Sequence, residues 1–271
     1  SQARAGAQPP TELAMLDPLL HEARLHKSPA EIATMQQAAD ISCRAHIRAM
    51  QAAKHGLFEY HLEAELDYEF RKGGARLPAY SSIVASGKNA CILHYTENNA
   101  PLHNGDLVLI DAGCEIDCYA SDITRTFPVS GRFSPEQKAI YNIVLQANLE
   151  AMKYISPNHC WNDAHDVTVR VITAGLLELG LLQGELEELI ATDAYRPFYM
   201  HRAGHWLGLD VHDVGEYKIN GSWRKLAVGM TMTVEPGIYI AVDNLTVPEQ
   251  WRGIGVRIED DRRCTNAPIN T

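Results

Sequence analysis

The sequence predicts a mixed α/β (α+β) domain in which one structural unit, two helices followed by β-strands, occurs twice. The order of predicted elements along the 271 residues is the first indication, because helix, helix and strands are followed by helix, helix and strands again. The second is a local match between residues 108–113 and 231–237. Both are β-type runs that end in an acidic residue, a small or rigid residue and glycine.

The helices of both units are predicted from apolar periodicity and from capping residues. Ser28 and Glu31 have the pattern of a capping box, which starts a helix that continues to about residue 54. A second amphipathic helix covers residues 59–71 and is stopped by Gly73 and Gly74. In the second unit, the predicted helices cover residues 135–154 and 164–179.

Strands are predicted where β-type runs lie between polar turns. In the two units these runs cover residues 82–85, 107–111, 123–129, 230–235, 238–241 and 255–259. In each unit one acidic residue ends a run and another accompanies a later run: Asp111 and Asp122, then Glu235 and Glu259. If the halves pair about a pseudo-twofold axis, the hairpins formed by these runs bring four carboxylates to one centre.

Composition and charge limit the class of protein. The chain has 46% hydrophobic residues and a formal net charge of −10, which is typical of a folded globular domain but argues against nucleic acid as a partner. No apolar stretch approaches the roughly 20 residues that span a bilayer, and the first ten residues lack a signal-peptide core. Six scattered cysteines without a C-x-x-C pair indicate reduced thiols. We expect a cytoplasmic protein that does not bind membranes.

Four carboxylates on largely buried strands would repel one another and lose hydration, so they require positive charge. Arg125 and Arg257 could each pair with one acid. Two divalent cations would neutralise all four and use them as ligands, which favours a site for two metal ions. The alternative that spacing alone leaves open is that each acid ends a strand and faces solvent.

Histidines are concentrated in one short segment. Residues 200–213 contain His201, His205 and His212 among glycine and apolar residues, unlike a solvated surface. Together they suit one metal ligand plus groups for proton transfer or oxyanion stabilisation, and His94 is a fourth candidate. The histidines expected to be structural are His21, His26, His46, His55 and His61.

The residue types in this predicted site narrow the metal and its chemistry. Carboxylates with one imidazole form a hard ligand set that favours Mn²⁺ and admits Co²⁺, Zn²⁺ or Fe²⁺. Two ions roughly 3.5–4 Å apart can hold a bridging hydroxide, polarise a carbonyl and stabilise an oxyanion, which is the chemistry of amide hydrolysis. The sequence has no G-x-S-x-G, P-loop or H-E-x-x-H motif that would indicate another reaction.

Six segments in a fixed order carry a family resemblance. They read HYTEN from His94, IDAG from Ile110, SDITRTFP from Ser121, GHWLGLDVHD from Gly204, VEPG from Val234 and RGIGVRIED from Arg252. Over residues 29–262 the chain resembles the catalytic domain of aminopeptidase P, within the methionine aminopeptidase and prolidase superfamily. The resemblance implies the pita-bread fold, a pseudo-symmetric domain with a curved antiparallel sheet, in agreement with the internal repeat.

The resemblance also implies a role for each candidate ligand. It makes Asp111 a chelating ligand of one ion and makes His205 and Glu235 ligands of the other. Asp122 and Glu259 would be the bridging carboxylates. In the family's mechanism a metal-bridging hydroxide attacks the scissile carbonyl, and Glu235 accepts and shuttles the proton.

Other residues are implied to act on the substrate. The resemblance places His94, His201 and His212 along the cleft, where they would stabilise the tetrahedral intermediate and seat the residue after the scissile bond. Tyr239 and Arg257 are implied to orient carboxylates and substrate. At position 202, beside His201, the chain departs from the family, because it has arginine where the family often has a small residue.

The implied substrate is a peptide with proline in second position, cleaved between the first residue and the proline. A proline amide has no N–H, so peptidases that bind that donor fail on it, whereas a rigid and partly apolar pocket can hold the ring. Tyr95 and Trp206 are candidates for lining this pocket. Two alternatives are a prolidase that cleaves Xaa-Pro dipeptides and a non-catalytic binding protein with the same fold.

The expected domain organisation also follows from the resemblance. Residues 1–27 are expected to be a linker or remnant of a missing N-terminal domain, and residues 28–271 to be the catalytic domain. In the family the N-terminal domain helps to build the oligomer, so we expect the full-length protein to be a homo-oligomer.

Overall fold

The structure, a computed structural model, describes residues 14–266. Its helices are Asp17–Leu25 (α1), Pro29–Ala52 (α2), Glu59–Gly73 (α3), Pro135–Met152 (α4), Trp161–Glu178 (α5) and Leu186–Ala191 (α6). Its strands are Ile83–Ser86 (β1), Leu107–Asp111 (β2), Glu115–Ile116 (β3), Tyr119–Ala120 (β4), Thr124–Pro128 (β5), Lys218–Ile219 (β6), Ser222–Trp223 (β7), Thr231–Val234 (β8), Gly237–Ile240 (β9), Ile254–Arg257 (β10) and Asp260–Arg263 (β11). The predicted mixed α/β fold with a repeated helix–helix–strand order is confirmed.

Three of the four paired helices begin where the sequence predicts, and α5 begins at Trp161 rather than at residue 164. At the start of α2, Ser28 Oγ accepts from the Glu31 N–H at 3.4 Å, and Glu31 Oε2 accepts from the Ser28 N–H at 2.7 Å. Ser134 and Gln137 form the same reciprocal pair at the start of α4. Helix α3 ends at Gly74, whose φ of +100° glycine adopts without strain.

Each half has its own apolar core between a helix pair and strands. In the first half, α2 and α3 pack on β2 through buried residues that include Ile41, Ala45, Leu62, Leu66, Phe70, Val108 and Ile110. In the second half, α4 and α5 pack on β9 and β10 through buried residues that include Ile140, Val144, Ile172, Leu176, Ile238 and Val256. The rigid cores fix where the strand ends lie, and the strand ends carry the acids.

Antiparallel pairing brings the strands of the two halves together. In the first half, β1, β2 and β5 form one sheet in the order β1-β2-β5, with Asp111 opposite Thr124. In the second half, β8 pairs with β11 and β9 pairs with β10. An isolated bridge between Thr124 and Glu259 then connects the halves.

This pairing corrects the predicted hairpin of the second half. The run expected over residues 255–259 leaves the strand after Arg257, and Glu259 lies in the connection between β10 and β11. Glu235 follows β8, whose partner is β11 rather than β10. The two acids therefore meet through tertiary packing of two separate strand pairs, because a two-residue connection sends the chain from the partner of β9 to the partner of β8.

Several short elements were not predicted, namely α1, α6, the β3–β4 hairpin, the β6–β7 hairpin and β11. Two-residue strands and a six-residue helix are too short for periodicity to detect. Helix α1 lies in the segment expected to be a linker, of which residues 1–13 are outside the described residues. The boundary at residue 28 stays a prediction. Between residues 14 and 266, no helix is long and apolar enough to cross a membrane.

Candidate active site

The four predicted acids line one cavity between the halves. Asp111 ends β2, Asp122 lies two residues before β5, Glu235 follows β8 and Glu259 lies two residues after β10. The cavity has a volume of about 440 Å³. His94, His201, His205, His212 and Arg257 line the same cavity. The alternative in which each acid faces solvent at a strand end is therefore wrong.

A metal-binding arrangement of ligand atoms lies at the centre of this cavity. Asp122, His205 and Glu259 each offer one ligand atom, and these atoms lie within 4.8 Å of one another. His205 Nε2 lies 3.4 Å from Asp122 Oδ2 and 3.7 Å from Glu235 Oε1. His205 Nδ1 is hydrogen-bonded to the Trp206 carbonyl oxygen at 2.9 Å, so Nε2 is the nitrogen that faces the acids.

Asp111 is connected to this group through two neighbouring side chains. Arg257 Nη2 donates to Asp111 Oδ2 at 2.6 Å, and the Tyr80 hydroxyl donates to Asp111 Oδ1 at 2.6 Å. The same hydroxyl is within hydrogen-bonding distance of Asp122 Oδ1. Of the two arginines considered from the sequence, Arg257 thus pairs with a candidate ligand, whereas Arg125 forms its ion pair with Asp260.

Sequence reasoning missed three polar residues that hold the acids. Besides Tyr80, these are Thr124, whose hydroxyl donates to Glu259 Oε2 at 2.5 Å, and Asp261, which accepts from the Asp122 N–H at 3.1 Å. Thr124 and Asp261 lie within two residues of a predicted ligand, which was the available signal. Tyr80 precedes β1, and only the antiparallel register of Ile83 with Asp111 brings it near the centre.

The charges in the cavity fit a site for cations. Among the described residues, no lysine or arginine forms an ion pair with Asp122, Glu235 or Glu259. Burial raises the pKa of Glu235 to about 7 and raises that of Glu259 well above its ordinary value, with neighbouring carboxylates adding to the effect. Deprotonation of these acids is disfavoured because compensating positive charge is lacking, and hard divalent ions would supply that charge.

His205 behaves as the cationic partner of the acids. Burial alone would lower its pKa, but the hydrogen bond with Asp122 and the charge of Glu235 outweigh burial and raise the pKa to about 9. A protonated imidazole at this place carries part of the positive charge that the cluster requires. When that imidazole is deprotonated, the donor set is oxygen-rich with one neutral imidazole, which suits a hard divalent ion.

His201 is held by hydrogen bonds at both ring nitrogens. Its Nδ1 is bonded to the Arg202 carbonyl at 2.8 Å, and its Nε2 accepts from the Tyr239 hydroxyl at 2.8 Å. Arg257 Nη1 donates to that hydroxyl at 2.9 Å. Burial and the nearby Arg257 charge lower the pKa of His201 to about 4, so its imidazole is neutral.

His94 and His212 differ from His201 in their freedom to bind a ligand. Within the described part of the chain, neither makes a hydrogen bond to protein through its ring nitrogens, although both line the cavity. The His212 ring packs edge-on against His205, with centroids 4.4 Å apart. The three predicted cleft histidines are thus brought together, two of them with free nitrogens.

The structure places three other candidate residues away from the cavity wall. Tyr239 is 1% exposed and lies behind His201, so it reaches the cavity only through His201 and Arg257. Trp206 is fully buried against Trp161, and the Tyr95 hydroxyl points into the protein core. The apolar part of the cavity wall comes instead from Ile83, Leu93 and Val211.

Arg202 lines the edge of the cavity, but its guanidinium is engaged elsewhere. It lies 4.9 Å from the centre of the Trp223 ring and hydrogen-bonds to Asn162 at the start of α5. The arginine thus joins the histidine segment to α5. Its backbone carbonyl, which fixes His201, is the part of Arg202 that acts on the cavity.

Comparison with known proteins identifies relatives over nearly the whole chain. Residues 33–266 match the model of metallopeptidase family M24. The Xaa-Pro aminopeptidases of Haemophilus influenzae and Escherichia coli are 56% and 54% identical to this chain over 248 and 244 residues. These matches cover 92% and 90% of this chain but 57% and 55% of the relatives, so the chain spans little more than half their length.

Solved structures give the same result for the fold. The structure of Pseudomonas aeruginosa aminopeptidase PepP is similar with a TM-score of 0.95 and 68% identity, covering 98% of this chain and 60% of that one. Aminopeptidase P of E. coli with the inhibitor Pro-Leu is similar with a TM-score of 0.93 and 51% identity, over 98% of this chain and 60% of that one.

Proposed function

Because this chain belongs to metallopeptidase family M24 and has its pita-bread fold, we propose that it releases the N-terminal residue from peptides with proline in second position. The observation that carries this proposal is the buried group formed by Asp122, His205 and Glu259, whose ligand atoms converge within 4.8 Å. Relatives named Xaa-Pro aminopeptidase at 54–56% identity support the reaction class.

We propose that two divalent ions bind in the cavity, held by Asp111, Asp122, His205, Glu235 and Glu259. Mn²⁺ suits this hard donor set, and Co²⁺, Zn²⁺ or Fe²⁺ are the alternatives. When bound, the ions supply positive charge that polarises a carbonyl and activates water for its hydrolysis. The ligand atoms of Asp122 and Glu259 lie within 4.8 Å of each other, and Asp122 contacts both His205 and the Tyr80 hydroxyl that holds Asp111, which supports a bridging role for the two acids.

The chain's own residues supply proton transfer and positioning. Glu235 lines the cavity beside His205, so its carboxylate can accept a proton from water and return it to the leaving proline nitrogen. His94 and His212 have free ring nitrogens that can donate to the substrate carbonyl. His201, with both nitrogens engaged, offers ring surface rather than a hydrogen bond, and Tyr239 and Arg257 hold it in place.

Recognition of proline requires apolar surface rather than a hydrogen-bond acceptor. A proline amide has no N–H to donate, so the pocket must select the ring by shape and contact. Ile83, Leu93 and Val211 provide such a wall near the imidazole of His201. We propose that these side chains, and not Tyr95 or Trp206, seat the proline ring.

Hydrolysis of matched peptides tests the proposed function. Chelator-stripped protein should release the first residue of a Xaa-Pro-Xaa tripeptide only after Mn²⁺ is restored, with little action on the matching Xaa-Pro dipeptide. Preference for the dipeptide would assign a prolidase instead. If metal binds but neither peptide is cleaved, the fold serves binding or needs residues outside this chain.

Metal binding is expected to release protons and to strengthen as the pH rises. His205, with a pKa of about 9, and Glu235, with a pKa of about 7, must lose protons before they can act as ligands. Isothermal titration with Mn²⁺ in two buffers of different ionisation enthalpy measures the number of protons released. A heat independent of the buffer would contradict this prediction.

The stability of the metal-free protein should depend on pH in the opposite direction to metal binding, because it should fall as the pH rises. The raised pKa of Glu235 stabilises the fold below its ordinary value of 4.5, and this stabilisation is lost as the pH rises through about 7. For His205 the stabilisation is present below 6.5 and lost through about 9. The gap in unfolding temperature between metal-loaded and metal-free protein should therefore widen between about pH 6 and about pH 9.

We also propose the cellular context and the assembly. All six cysteines lie within residues 14–266 and are free thiols, which supports a reducing, cytoplasmic location. The net charge of −10 supports peptides rather than nucleic acid as partners. A homo-oligomer remains our expectation for the full-length protein, to be tested by light scattering.

A further inference from the structure

A second buried carboxylate, Glu59, lies outside the metal centre at the first position of α3. It is fully buried, and no lysine or arginine of the described residues forms an ion pair with it. A buried charge without a cation is stable only if hydrogen-bond donors replace its hydration. Five donors surround the Glu59 carboxylate, so it is solvated by the protein.

The five donors come from the first and second halves of one segment, residues 86–100. Glu59 Oε1 accepts from the Ser86 N–H at 2.6 Å, from Ser86 Oγ at 2.8 Å and from Asn89 Nδ2 at 3.1 Å. Glu59 Oε2 accepts from the Tyr95 hydroxyl at 2.7 Å and from the Ala100 N–H at 2.9 Å. One oxygen therefore holds the start of the segment, and the other holds its end.

The part of the segment between these anchor points lines the active-site cavity. Leu93, His94 and Thr96 contribute to the wall, and Tyr95, which donates to Glu59, directly follows His94. The backbone N–H of Glu59 also donates to the Ala100 carbonyl at 3.0 Å. The position of His94 thus depends on a loop whose two ends are tied to one carboxylate.

We propose that Glu59 is a positioning residue for His94, acting through the loop that it closes and not through contact with substrate. The inference rests on the proposed function, because it assigns His94 to the substrate cleft. This role requires both oxygens of the Glu59 carboxylate. A glutamine at position 59 would have only one acceptor oxygen, and its NH₂ group would face hydrogen-bond donors. The Ala100 N–H or the Ser86 pair would then lose its acceptor.

The test is a double-mutant cycle between Glu59→Gln and His94→Ala, with kcat/KM measured on a Xaa-Pro tripeptide by metal-loaded enzyme. Glu59→Gln alone should lower kcat/KM by roughly 10–100-fold, as loss of a supporting hydrogen-bond partner does, with metal content unchanged. In the His94→Ala background, Glu59→Gln should lower kcat/KM by less than about 2-fold. An equal loss in both backgrounds, or no loss in the first, overturns the proposal.

Glu69→Gln is the matched control. Glu69 is a buried glutamate on the same helix, 8% exposed, and it faces Arg44 rather than the loop. Its replacement should leave kcat/KM unchanged. If Glu59→Gln fails to fold, Tyr95→Phe decides, because it removes one donor next to His94 while keeping the carboxylate. Its smaller loss of activity should also vanish in the His94→Ala background, and an additive loss overturns the proposal.

A spectroscopic readout separates this proposal from the proposed function. The imidazole carbon–proton NMR signal of His94, assigned by its absence in His94→Ala, should shift in Glu59→Gln and stay in place in Glu69→Gln. Absence of peptide cleavage by the wild-type protein would overturn the proposed function alone. An unmoved His94 signal in folded Glu59→Gln would overturn the positioning role alone.

Discussion

Asp122→Asn is expected to remove bound metal and to lower kcat/KM for a Xaa-Pro tripeptide by roughly 1,000-fold or more, since it disables a group on which the whole centre depends. Asparagine keeps the size of the side chain and an oxygen that can accept the Tyr80 hydrogen bond. The loss therefore reports the missing negative charge of Asp122, whose ligand atom lies within 4.8 Å of those of His205 and Glu259. Metal content by mass spectrometry and steady-state kinetics measure the two effects.

Two further variants complete this experiment. Glu259→Gln should have the same effect, because Glu259 contributes to the same group of ligand atoms. Asp117→Asn is the control, since Asp117 is exposed in a turn with φ 48°, a conformation that asparagine adopts readily. An Asp122→Asn protein that is free of metal but fully active would exclude a metallopeptidase mechanism.

Lys27→Met is expected to destabilise the fold by about 3 kcal/mol, which lowers the unfolding temperature by about 6–12 °C for a chain of this size. The Lys27 and Asp213 side chains are each 1% exposed, and Lys27 Nζ lies 3.2 Å from Asp213 Oδ2. Arg24 pairs with the other carboxylate oxygen. Removing the lysine leaves a buried carboxylate with only part of its compensating charge.

This ion pair lies directly next to the active-site segment. Asp213 follows His212, and a Cβ atom on Gly208 would lie 2.2 Å from Asp213 Oδ2 and 2.9 Å from Lys27 Cε. The glycine is therefore required for the lysine to reach the acid. Segment 24–27 thus helps to hold the loop that carries His205 and His212.

Calorimetry of Lys27→Met beside an exposed-pair variant checks the prediction. Glu187→Gln breaks the Arg170–Glu187 pair, whose side chains are 51% and 74% exposed, and should leave the unfolding temperature nearly unchanged. Combining Lys27→Met with Asp213→Asn should cost less than the sum of the single changes, because the double variant buries neither the lysine nor the carboxylate without its partner. A Lys27→Met protein as stable as the wild type would show that the pair contributes no net stability.

The elements that local sequence specifies were predicted well. Helix α2 begins at its capping box, β2 covers residues 107–111 as expected, and α4 begins after Ser134. In each case residues within one turn or one run of the chain contain the whole signal. Helix α1 and β11 were missed, because α1 is stabilised by contacts with distant residues and β11 consists of two acidic residues followed by two basic ones, a run that only its pairing with β8 explains as a strand.

The candidate site likewise has residues that local sequence indicates and contacts that only the tertiary structure forms. The sequence by itself determined which residue types could hold metal, because acids next to glycine-bounded strands and three clustered histidines are local patterns. Only the tertiary structure decided that Tyr80 bridges Asp111 and Asp122, that Tyr239 lies behind His201, and that Glu59 closes the His94 loop. These contacts join residues that are 31 to 42 positions apart. Periodicity contains no information about which distant side chains meet, since that is set by the packing of the two cores and the register of the strands.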